Sequence, residues 1–180
     1  MGIIRLRKSD RRRARSTQWS DPHLVKMTTP EAMEAYVRTK LRKRGVDIEQ
    51  KVETVFNLSR MTTAYEDVLK LSSNFEKYSP VYRAVVLAHE AVHYAQRDQY
   101  GQHRFNAKYL FSARWRVSVE IPAYREGVRA MVILGVRRKV IEKHIESVPK
   151  SLKKYFIGAL DFKHVKELTT RTLRKELPGS

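Results

Sequence analysis

Two histidines four residues apart, with a glutamate directly after the first, are the part of this chain best equipped for chemistry. They are His89, Glu90 and His93, within Val86-Leu87-Ala88-His89-Glu90-Ala91-Val92-His93-Tyr94-Ala95. The stretch reads as helix, and residues i and i+4 of a helix lie one above the other, so both imidazoles can reach one metal ion. Zinc suits that pair best. Glu90, three residues before His93, is placed to take a proton from a water at the metal without ligating it. The plain alternative is an exposed helix with two idle histidines. Against it stands the apolar stripe Val81, Val85, Ala88, Val92, which makes the helix a core element with the histidines at the stripe's border.

A catalytic zinc site takes three protein ligands and keeps one position open. The chain has no cysteine, so nitrogen and oxygen must supply all three. His103 lies just past Gly101 and would need the chain to fold back. Glu120 is better placed. In a helix expected over about 119–134 it extends the stripe Ala123, Gly127, Met131, Leu134, and a core-facing carboxylate is expensive unless it meets a cation. That cation is zinc, or an arginine in a structural ion pair. Glu126 reads as solvated, on a charged face with Arg125 and Arg129. Tyr124, one turn from Glu120, is either an oxyanion donor or a packed ring. Gln96, one turn after His93, is placed to orient a ligand by a hydrogen bond. Small Ala123 and Gly127 allow close approach to the motif helix. Pro122 is tolerated if its helix begins just before it.

The H-E-x-x-H helix, with its uncharged flanks, resembles the active-site helix of the zincin superfamily of zinc metallopeptidases. Gln96 and Gln99 stand where the metzincin branch has a glycine and a third histidine, which excludes that branch. Glu120-Ile121-Pro122-Ala123-Tyr124 is similar to the E-x-x-A/D arrangement that supplies the third ligand in gluzincins. The resemblance covers about Val81 to Leu134. It implies zinc held by His89, His93 and Glu120, with Glu90 and Tyr124 as catalytic residues. The implied reaction is hydrolysis of a peptide or related amide bond by Glu90-assisted attack of a zinc-bound water. Known zincins pair a small sheet with the motif helix. Here the one strand-like run is Arg114 to Val119, which could equally open the next helix. The expectation is therefore a mainly α, reduced zincin-like domain with at most a short strand or two.

With 180 residues, 42% of them hydrophobic, the chain suffices for one domain with a proper core. Residues 1–20 carry Arg5, Arg7, Lys8, Arg11, Arg12, Arg13 and Arg15 against Asp10 and read as a basic flexible arm. Residues 21–180 form the helical domain, with a metal-site core at about 80–135 and a basic C-terminal part at 136–180. The net charge of +18 points to nucleic acid, another polyanion or a large assembly through the arm and C-terminal helices. This supports a second functional reading: a non-catalytic, basic structural or nucleic-acid-associated protein of a nucleoprotein or virus-like particle that retains a zincin-type zinc site. No secretory signal and no membrane span are visible. Asp10 and the scarcity of apolar residues after Leu6 spoil a mitochondrial presequence. The expected location is intracellular, in the cytoplasm or in a particle assembled there.

Other elements follow from caps and periodicity. Thr29-Pro30-Glu31 opens a helix that ends at Arg44-Gly45, with Ala32, Ala35, Tyr36 and Leu41 as a thin apolar face. Asp47 is expected to cap a second helix (Ile48, Val52, Val55, Phe56, Leu58), and a third is expected from about Thr63 to Tyr78. Ser79 and Pro80 start the motif helix, and Gly101 ends it. The segment from Gln102 to Phe111 reads as helix or loop. After Gly135, Val140, Ile141 and Ile145 suggest one helix, and Leu152, Tyr155, Phe156 and Leu160 another. Asp161 is expected to cap a last helix with Val165, Leu168 and Leu173.

Overall fold

A computed structural model describes residues 21–50, 63–65, 68–153 and 162–178. The basic arm, and the expected contributions of Val52, Val55, Phe56, Leu58, Tyr155, Phe156, Leu160 and Asp161, lie outside these residues. The fold is mainly α. Among the described residues there are six α-helices: α1 (Pro30–Lys43), α2 (Pro80–Tyr100), α3 (Gln102–Phe111), α4 (Ala113–Ile133), α5 (Arg138–Lys153) and α6 (Phe162–Arg174). Three short strands, β1 (Asp47–Gln50), β2 (Thr63–Tyr65) and β3 (Val68–Leu71), form a small sheet in the order β1-β3-β2. None of the described helices is long and apolar enough to cross a membrane.

The sheet replaces two expected helices. β1 pairs in parallel with β3, from Asp47 opposite Val68 to Gln50 opposite Leu71, and β2 pairs with β3 antiparallel. Leu69 and Leu71 are buried with Lys70 exposed between them, the period of a strand and not of a helix. Asp47 therefore opens β1 and caps no helix. What decides these segments is strand pairing, between residues 21 apart for β1 with β3 and three to seven apart for β2 with β3, which no local cap or stripe announces.

α2 is the central helix, with apolar or polar side chains buried on most of its circumference. Ser79 Oγ accepts from the Tyr82 amide (3.3 Å), Pro80 occupies the first turn, and Gly101 at φ +78° turns the chain into α3. α4 lies along α2. It begins at Ala113, earlier than expected, because Ser112 Oγ accepts from the Trp115 amide (3.2 Å); the strand-like run at 114–119 is helical. Pro122 consequently sits inside α4, where it withholds one amide from the carbonyl a turn before it. Packing of Val117, Val119, Ile121, Ala123 and Val128 holds the helix regardless.

The two helices approach each other closely at Gly127. A Cβ at that position would lie 3.5 Å from Val85 Cγ1 and 3.7 Å from the Val85 carbonyl oxygen, ordinary contact distances. Gly127→Ala should thus raise the melting temperature, since Ala is favoured over Gly in a helix by about 1 kcal/mol. Gly127→Leu should lower it by the ~1–3 kcal/mol typical of overpacking. Thermal unfolding followed by circular dichroism checks both.

The remaining helices wrap this pair. On α1, Met33, Val37 and Leu41 face inward, while Ala32 and Ala35 are exposed, so the buried stripe is displaced from the expected one. Glu34 ties α1 to α2 by accepting from Arg38 and from Arg83, both at 2.9 Å. α5 is one continuous helix through Pro149, burying Ile141, Ile145, Val148 and Leu152, while Val140 is exposed. On α6, Val165, Thr169 and Leu173 are buried. One contiguous apolar cluster joins α1, α2, α4, α5 and α6 with β3.

Asp21 fastens the start of the described chain to α1 and α4. Its amide donates to Glu126 (3.0 Å), its carbonyl accepts from Arg129 (2.9 Å), and its carboxylate accepts from Tyr36 (3.0 Å) and Lys40 (2.5 Å). Glu126, expected on a solvated face, is 3% exposed because it serves this clamp. Burial pushes the Asp21 carboxyl up, but Lys40, the His23 amide and Tyr36 more than reverse this and hold it below its ordinary value. A depressed carboxyl contributes stability that is complete above the unfolded value and lost as pH falls through the folded one. Below about pH 4 the wild type should therefore lose stability more steeply than Asp21→Asn in urea titrations at stepped pH.

Candidate metal centre

His89 and His93 lie one turn apart on α2, and Glu120 on α4 is brought against them by the packing around Gly127. The two Nε2 atoms are 3.2 Å apart. His89 Nε2 is 3.5 Å from Glu120 Oε2, and His93 Nε2 is 3.6 Å from Glu120 Oε1. One ligand atom from each residue lies within 4.8 Å of the other two. Donors about 2.0–2.1 Å from a tetrahedral ion are about 3.4 Å from one another. The two imidazoles are spaced near that edge and each lies about as far from one oxygen of Glu120, so the trio can hold a metal ion once the carboxylate turns one oxygen toward both.

Hydrogen bonds fix which atoms face the centre. Gln96 Nε2 donates to the Val119 carbonyl (2.9 Å), which leaves Gln96 Oε1 facing His93 Nδ1 at 3.0 Å. An amide oxygen only accepts, so Nδ1 carries a proton and Nε2 is the nitrogen left facing the centre, where a metal ion would have to displace its proton. The hydrogen bond expected of Gln96 is thus present, and it also joins α2 to α4. Tyr109 of α3 donates to Glu120 Oε1 in a short hydrogen bond.

Glu120 is 4% exposed. Burial raises its carboxyl, but the adjacent His93 and His89 outweigh this and hold it well below the usual range. Burial pushes His93 down, and the carboxylates of Glu120 and Glu90 overturn that, so the imidazole is pushed up to about 9. Among these three groups, positive charge is what the site attracts. Glu90, next to His89, is also buried, and burial pushes its carboxyl up despite the pull of both imidazoles.

No protein-family model, curated protein or solved structure matches the chain. The site has to be read from its own geometry.

Tyr124 stands edge-on to the His89 ring, centroids 4.6 Å apart, and is in place beside the trio. His103 lies on α3, away from the three donors. Two neighbours fall outside the sequence expectation. Tyr109 reaches Glu120 from a segment whose residues suit helix and loop alike. His144 of α5 has its ring 6.4 Å from that of Tyr124, and burial, with His89 nearby, pushes it below its ordinary value. Neither is marked by any local motif. Arg97, one turn beyond His93, is 7% exposed and stacks on Tyr94 and Phe105, its guanidinium 5.0 and 5.8 Å from their centroids. The wall of the site is therefore aromatic and cationic, and it is contributed by α2, α3, α4 and α5.

Proposed function

We propose that the protein is a zinc-dependent hydrolase of a peptide or related amide bond. The observation that carries this reading is the convergence of His89, His93 and Glu120, whose ligand atoms lie within 4.8 Å of one another, with the carboxylate of Glu90 beside them. Two imidazoles and one carboxylate without a thiolate form the donor set of hydrolytic zinc, and a buried Glu120 suits a divalent cation. A zinc ion there supplies Lewis acidity toward water and toward a substrate carbonyl.

The chain's own residues supply the rest. Gln96 holds His93 in the tautomer that offers Nε2. Glu90 accepts the proton of the attacking water as the C–O bond forms, and then hands it to the leaving amine nitrogen as the amide C–N bond breaks. Tyr124, against His89, offers a hydroxyl to the oxygen that gains charge. The substrate partner is a peptide or protein.

A quenched-fluorescence peptide library incubated with the zinc-loaded protein tests this reading. Cleavage that stops with a chelator and returns with added zinc supports it. A protein that takes up about one zinc per chain and yet cleaves no peptide or amide in the library would overturn the hydrolase reading and leave a metal-stabilised fold.

A further inference from the structure

The cations on the outer face of α6 take no part in the metal centre, and helix stability accounts only for those in its last turn. With Val165, Thr169 and Leu173 turned to the core, the outward side carries Lys163, Lys166, Arg171 and Arg174, followed by Lys175. These line a cavity of about 630 Å³, in which Glu167 is the single acid. Lys163 and Lys166 stand at the start of the helix, whose first turn holds no acid, although the positive end of the helix dipole disfavours cations there. Arg171 and Arg174 stand in the last turn, where the dipole favours cations, but Arg171 is a like-charge neighbour of both Arg174 and Lys175 at helical spacing, which offsets part of that gain.

We propose that this face binds the phosphate backbone of a nucleic acid without reading its bases. The row from Lys163 to Arg174 runs for about 16 Å at ~1.5 Å per residue. That matches roughly five phosphates of one duplex strand at ~3.4 Å each. A membrane surface is the weaker partner, since cationic membrane-binding helices also present large apolar side chains. The large hydrophobic residues exposed among the described residues, Val25, Tyr82, Leu110, Phe111 and Val140, all lie off α6. The face offers no Asn or Gln to pair with adenine, and its Lys and Arg are spread as a row along the helix, the arrangement that follows a phosphate backbone.

The test is the salt dependence of binding to a fluorescent DNA duplex of arbitrary sequence, by anisotropy, with the full-length protein. Lys163→Gln/Lys166→Gln/Arg171→Gln/Arg174→Gln should lower the slope of log K against log salt by roughly 3 to 4, about 0.9 for each phosphate no longer neutralised. A control removes as many cations elsewhere, Lys26→Gln/Arg42→Gln/Lys43→Gln/Arg104→Gln. It should change the slope by less than about one. Equal changes in both variants would mean diffuse charge and overturn the proposal, as would a wild type that does not bind the duplex. So would loss of binding to phosphatidylserine vesicles in the α6 variant with duplex binding intact. Circular dichroism confirms folding, and Lys166→Gln alone, expected to lower the slope by about one, serves if the fourfold variant is unfolded.

Discussion

Glu90→Gln is expected to abolish hydrolysis while leaving both metal and fold in place. Gln keeps the volume and most of the shape of Glu, so the packing of α2 survives. It cannot accept a proton at neutral pH, so proton transfer from the attacking water is lost. General-base catalysis contributes about 10²- to 10⁴-fold, and kcat should fall by that factor with KM little changed. Zinc content should remain at the wild-type level, because Glu90 lies beside the three converging donors and is not one of them. Since burial already disfavours the Glu90 carboxylate, its removal should not lower the melting temperature. Undiminished turnover in the variant would show that another group carries the proton. A merely structural metal site would be indifferent to this substitution in every readout, which makes it the sharpest division between an enzyme and a basic building block of a particle.

The parts of the site that are legible in the sequence are those that one helix can announce. The four-residue spacing of His89 and His93 places both rings on one face whatever surrounds them. Glu120 stands out because a carboxylate at the end of an apolar stripe demands a cation, and the structure sets it against both imidazoles. Tyr109 and His144 are not legible. They stand 11 and 24 residues from Glu120 in the chain, and only the packing of α3 and α5 against α4 makes them neighbours of the centre. The same limit applies to the fold. Thr29, Ser79 and Gly101 mark helix ends through contacts within a few residues, and those ends stand where expected. β1 is four residues long with an Asp at its start, and without its partner β3 it has every local feature of a capped helix. Glu126 differs from its expected exposure for a related reason: what buries it is the backbone of Asp21, more than a hundred residues away.

Removing His93 should abolish metal binding and uncouple stability from zinc. In the wild type, a metal that binds the folded chain alone stabilises it by mass action, by about 4 kcal/mol at a thousandfold excess over Kd. For a chain of this size each kcal/mol moves the melting temperature by about 2–4 °C, so zinc should raise it by roughly 8 to 16 °C over the chelated protein. His93→Ala leaves two donors, and the same addition of zinc should produce little or no shift. Glu120→Gln should behave alike, because the amide keeps the hydrogen bond from Tyr109 in reach but gives up the negative charge that holds a divalent ion. Metal analysis after dialysis, read beside the melting curves, checks the assignment: about one zinc per chain in the wild type and none in either variant. Retention of zinc by both variants would place the ion elsewhere and remove His93 and Glu120 from its shell. If zinc is retained by Glu120→Gln alone, the two histidines remain ligands and the third donor must be sought among their neighbours, with Tyr109 and His144 the first to substitute.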